Sequence, residues 1–139
     1  MKRIVALIVL FSLLTTAGET LRWRGSYDDA RREAVENRSL LLLLLVNSDC
    51  APCRELVRKI TALHRSDPAL FRNLVPVIVT TDHRASYPIE LYYSRQFPTL
   101  FLVDPVRELP VAGPCPGAGC DSFLKEKLNP GEEGQAWAR

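Results

Sequence analysis

Few of the signatures that announce a chemistry occur in this 139-residue chain. It has no phosphate-binding loop, no HExxH pair and no serine triad, so nucleotide hydrolysis, zinc proteolysis and serine hydrolysis lack their carrier residues. Histidine is scarce: His64 is expected as a cap or surface residue late in a helix, and His83, after Asp82, as an exposed loop residue. Excess charge is missing too. Eighteen basic residues face 16 acidic ones, and the surplus is Lys2 and Arg3, so residues 18–139 are formally neutral. That argues against nucleic acid or an anionic membrane surface as the main partner, since both need a basic excess. There is no internal repeat and no low-complexity linker, which leaves one domain long enough to bury a core.

No apolar run reaches the roughly 20 residues that span a bilayer. Ile4 to Leu14, apolar except for Ser12, falls short of it. It follows Lys2-Arg3 and precedes the small residues Thr15-Thr16-Ala17, the order of a secretory signal peptide. The expectation is a signal peptide over 1–17, a folded domain over 18–128 and a mobile tail over 129–139, in a periplasmic or secreted protein. An uncleaved N-terminal membrane anchor is the alternative. Four cysteines, at 50, 53, 115 and 120, lie in the expected domain. An even number in an exported chain points to disulfide chemistry. Four cysteines allow three pairings, and the two short spacings make Cys50–Cys53 and Cys115–Cys120 the simplest.

Ser26, with Asp29 three residues on, is expected to cap a helix that places Tyr27, Ala30 and Ala34 on one face and ends near Asn37. Leu40 to Val46 is apolar without a break. A strand with one wet face would alternate, so the run predicts a central strand covered on both faces. After Asn47-Ser48-Asp49, Leu56, Val57, Ile60 and Leu63 share one helical face, and Arg54, Glu55, Arg58 and Lys59 the other. Further expectations are a strand from about Val75 to Thr81, with Pro76 near its start, and a short helix at Ile89 to Arg95. Thr99 to Val103 and Leu109 to Val111 read as two more strands, Gly113 to Gly119 as a loop, and Asp121 as the cap of a last helix through Leu128. Trp23 and Trp137 are expected in packing or in the tail.

Three features together carry a resemblance: the strand Leu40–Val46, the Cys50-Ala51-Pro52-Cys53 motif opening a helix, and Phe97-Pro98-Thr99 before an apolar strand. With these the sequence resembles the thioredoxin superfamily, and within it the exported thioredoxin-like proteins. The resemblance implies an α/β thioredoxin-like fold, a central mixed sheet flanked by helices. It also implies a cis Phe97–Pro98 bond facing the cysteine pair, with Phe97, Pro98 and Thr99 docking the substrate chain. Physical chemistry supports the same site. Unpaired N–H groups at a helix start favour a Cys50 thiolate, which makes Cys50 the nucleophile and the more buried Cys53 the resolving thiol. Pro52 is tolerated because first-turn N–H groups have no intrahelical partner.

The chain also departs from the family. Asp49 stands where thioredoxin has tryptophan, and a carboxylate there, turned partly inward, is expected to raise the pKa of Cys50. Leu44 replaces the buried acid of thioredoxin, which removes a proton relay. Cys115 and Cys120 lie outside the family pattern. The favoured reading is a staple across a glycine-rich loop; a second redox pair and a four-cysteine zinc site stay open. The function expected is thiol–disulfide exchange on cysteines of exported proteins, without cofactor or resident metal. The Ala-Pro dipeptide resembles reducing family members, which implies a reductase fed by a membrane thiol electron-transfer protein. The rival is a non-catalytic binding module with structural disulfides or a soft-metal site for Cu(I) or zinc.

Overall fold

The structure, a computed structural model, describes residues 20–84 and 86–129. The expected signal peptide, Trp137 and residues 130–139 of the expected tail lie outside them. The described chain runs α1 (Tyr27–Asn37), β1 (Leu40–Val46), α2 (Ala51–Ser66), a short 3-10 turn (Pro68–Phe71), β2 (Leu74–Thr80), β3 (Thr99–Asp104), β4 (Leu109–Pro116) and α3 (Cys120–Leu128). The four strands form one mixed sheet in the order β2-β1-β3-β4, with β1 parallel to β2 and antiparallel to β3.

The leucine run is what builds two cores. Successive side chains of a strand point to opposite faces. Leu41, Leu43 and Leu45 pack with Tyr27, Ala30 and Ala34 of α1 and with Val75, Val77 and Val79 of β2. Leu42, Leu44 and Val46 pack with Leu56, Ile60 and Leu63 of α2 and with Leu124 and Leu128 of α3. Helices therefore cover both faces of β1, so no polar residue has a wet face to occupy. Helix α1 starts as expected: the Ser26 side chain accepts from the Asp29 amide at 3.3 Å. Trp23 is half-buried against the α2-side core.

Both sheet edges are short of free donors. Pro76 lies on the outer strand β2, and Arg24 runs alongside it: Arg24 N donates to Pro76 O at 2.9 Å and Ile78 N to Arg24 O at 2.9 Å. Strand β4, the other edge, contains Pro110, Pro114 and Pro116.

Three expectations are corrected. No helix forms over Ile89 to Arg95, where the chain makes turns and bends. Tyr92 is buried there with its hydroxyl 3.0 Å from that of Tyr27, while Ile89, Leu91 and Tyr93 are exposed. The Ser94 hydroxyl takes up backbone groups a helix would need, accepting from Gln96 N at 3.2 Å. Secondly, β4 runs five residues past its expected end and absorbs part of the expected loop. Between the pairs Leu102↔Ala112 and Leu100↔Cys115 its register shifts, an irregularity that accommodates glycine and proline at an edge. Gly113 is required there: its φ is 96°, and a Cβ would lie 2.7 Å from Leu100 O. Lastly, Asp121 is not the cap of α3. Gly119 is, with no side-chain hydrogen bond, because the helix already begins at the disulfide-bonded Cys120.

Candidate active site

Strand β1 delivers the chain to the start of α2 through Asn47-Ser48-Asp49, and this turn is tied to the exit of β2. Thr81 N donates to Val46 O at 2.9 Å, and the Thr81 hydroxyl to Asn47 Oδ1 at 2.5 Å. Ser48 N donates to Asp82 Oδ1 at 2.9 Å, and the Ser48 hydroxyl donates to Asp82 Oδ2. These donors, the hydroxyl first, hold the Asp82 carboxyl below its ordinary pKa. Asp49 follows in the left-handed region at φ 53°, which aspartate tolerates better than most residues.

Cys50 is the N-cap of α2, and its Sγ accepts from Cys53 N at 3.2 Å. Pro52 sits in the first turn. Cys50 and Cys53 are joined in a disulfide with Cα atoms 5.2 Å apart. Cys50 is half-buried, whereas Cys53 is only 4% exposed, packed among Leu44, Leu56 and Leu100. The Phe97–Pro98 bond is cis, as expected, and Cys50 Sγ lies 4.0 Å from Phe97 O, where a reduced thiol could donate.

The expected docking residues divide. Thr99 is 0% exposed, and its hydroxyl is shared between Gln96 O at 2.5 Å and Ser94 Oγ at 2.8 Å. It holds the loop rather than facing outward. Pro98 O accepts from Gly117 N at 2.8 Å, which leaves the Phe97 backbone as the open part of the edge beside Cys50. Asp49, expected to turn partly inward, is exposed, because its left-handed backbone carries it to the rim.

Cys115 and Cys120 form the second disulfide, with Cα atoms 6.0 Å apart, and join the end of β4 to the start of α3. The bridged loop touches the site through Gly117 N, which donates to Pro98 O, and fastens to α2 through Ala118 O, which accepts from Lys59 Nζ at 3.1 Å. His64 stands in the last turn of α2, as expected, and is half-buried against Phe71 with ring centroids 5.2 Å apart. His83 is exposed. Among the described residues no three or more His, Cys, Asp or Glu side chains gather as a metal ion would need.

A cavity of about 570 Å³ opens beside the sulfurs. Val46, Val57 and Ile78 give it an apolar floor, and Asp49, Arg54 and Arg58 border it. In sequence, both arginines read only as solvated residues on the polar face of the helix. Their spacing of four on α2 was the available signal.

A mixed sheet with helices on both faces, a disulfide at a strand-to-helix junction and a cis-proline loop opposite define the thioredoxin fold with its CxxC pair. The comparisons agree. The chain is similar in structure to the germline thioredoxin Deadhead of Drosophila melanogaster (TM-score 0.58, 18% identity, covering 77% of this chain and 95% of that one). It is also similar to oxidised thioredoxin O1 of Arabidopsis thaliana (0.56, 20%, 79% and 98%). A third similar structure is the oxidoreductase DsbH (0.54, 20%, 81% and 87%). No protein-family model and no curated protein sequence matches the chain.

Proposed function

We propose that this protein is a thiol–disulfide oxidoreductase that reduces disulfides of exported proteins. The observation that carries the reading is the asymmetry of the pair: Cys50 sits half-exposed at a helix start with a backbone N–H on its sulfur, and Cys53 is buried one turn in. Such donors favour the thiolate of the reduced form. The Cys50 thiolate attacks a substrate disulfide; a Cys50–substrate bond forms, and the substrate's other sulfur leaves as thiolate. Cys53 then attacks Cys50, which forms the intramolecular disulfide and releases the reduced substrate. A donor dithiol, which we assign to a membrane thiol electron-transfer protein, restores the pair. The leader-like start supports a periplasmic or secreted location, and the Ala-Pro dipeptide supports the reducing direction.

Limiting iodoacetamide on the reduced protein, with peptide mapping, tests the roles, and insulin-disulfide reduction tests the activity. Cys50 should take the label, and Cys50→Ser should abolish turnover. Labelling at Cys53 would reverse the roles. An inert protein that binds Cu(I) tightly would instead be a binding module.

A further inference from the structure

The cavity beside Cys50 is apolar at its floor and cationic along one side. The sulfurs lie at one end, and Val46, Val57 and Ile78 form the floor. Arg54 and Arg58 follow Cys50 by one and two turns of α2, at about 6 and 12 Å along the axis from the rise per residue. Both are exposed, and neither makes an ion pair among the described residues. Lys59 on the same helix does: it is held by Glu55 at 3.3 Å and by Ala118 O. The opposing carboxylate at the cavity, Asp49, sits at the sulfur end. Phe97 and Pro98 do not line it, so the trough is separate from the backbone edge described above.

We propose that this trough recognises a protein segment with acidic residues two and four positions from its reactive cysteine and an apolar residue between them. The proposal rests on the thiol–disulfide reading, since it seats the substrate cysteine at Cys50. An extended chain advances about 3.3 Å per residue, and alternate side chains face the same way. Positions two and four therefore reach about 7 and 13 Å from the cysteine, level with Arg54 and Arg58, and position three meets the apolar floor. An acid immediately beside the cysteine would meet Asp49 and be disfavoured.

Three peptides test this, each linked through its cysteine to a small thiol by a disulfide. They carry Glu, Gln or Lys at positions two and four, with Leu at three, built on either flank. The readout is kcat/KM for their reduction by the full chain. The Glu peptide should be reduced about fivefold or more faster than the Lys peptide, with the Gln peptide between, as expected for two exposed ion pairs. High salt should shrink the ratio. Arg54→Gln/Arg58→Gln should bring it to about one, and Arg54→Glu/Arg58→Glu should invert it. Equal rates on all three peptides, or an order that survives charge reversal, overturn the trough while turnover itself sustains the oxidoreductase reading. If no peptide is reduced, that reading falls, and fluorescence anisotropy with serine in place of the peptide cysteine decides the trough: selective binding of the Glu peptide upholds it, and equal binding ends it.

Discussion

Asp49 is where the chemistry of this site differs most from the family it resembles. The left-handed backbone at φ 53° puts the side chain in solvent, so its field reaches the neighbouring sulfur mostly through water. A unit charge at roughly 6 Å in water is worth about 0.7 kcal/mol, or about threefold in an equilibrium. Asn is as tolerant of this backbone as Asp, so Asp49→Asn removes the charge without disturbing the turn. The expected outcome is a rise of at most about threefold in Cys50 alkylation rate at pH 7 and low salt, erased at 1 M salt by screening. A tenfold effect that ignores salt would mean that the carboxylate reaches the sulfur directly. Leu44 is the second departure. It is fully buried in the core that holds Cys53, and no carboxylate among the described residues is buried beside that thiol. Proton exchange at Cys53 then depends on water, which the cavity lined by both cysteines admits.

At the level of elements, the central strand and the cysteine helix were legible because burial pattern and local turn residues agree on them. Leucine propensity alone would allow a helix over the apolar run; the turn residues Asn47-Ser48-Asp49 at its end decide for a strand, and the α2 periodicity shows which side faces the sheet. The elements that were misread depend on distant partners. Nothing local to Ile89–Arg95 reveals that Tyr92 is drawn inward to Tyr27, or that Ser94 satisfies a neighbouring amide. Nor does Gly113 disclose that it stands against Leu100 O; in sequence it reads only as a loop residue. At the site, Cys50, Cys53 and the cis proline were legible from motif, whereas Thr99's inward role and the trough needed the packed helix. The Tyr27 hydroxyl ties these distant pieces together. It donates to Glu108 Oε1 at 3.0 Å and meets the Tyr92 hydroxyl, and Glu108 in turn lies 3.3 Å from Arg31. Burial, then the hydrogen bond to Tyr92, pushes the Tyr27 pKa well above its usual value. The folded state thus favours the neutral phenol. Its stabilisation is complete below the unfolded value of about 10 and is lost as pH rises above it. Tyr27→Phe should cost about 1 kcal/mol in urea unfolding at pH 7 and flatten the loss of stability above pH 10.

For the whole molecule, the second disulfide is the other covalent closure. It spans a sequence separation of five and fastens α3 to β4. A loop that short is worth about 2 kcal/mol in chain entropy. Cys115→Ala/Cys120→Ala should lower the free energy of unfolding by that amount while insulin reduction continues. Loss of turnover at unchanged stability would instead make the pair a second redox centre. The prolines of the sheet have a different reach. An open sheet edge is a template on which another chain's strand can pair. Pro110, Pro114 and Pro116 remove three donors from β4, and Pro76 with the Arg24 bridge occupies the middle of β2. A strand added at either edge of the described sheet would therefore meet an interrupted row of donors, losing a ladder hydrogen bond wherever a proline faces it.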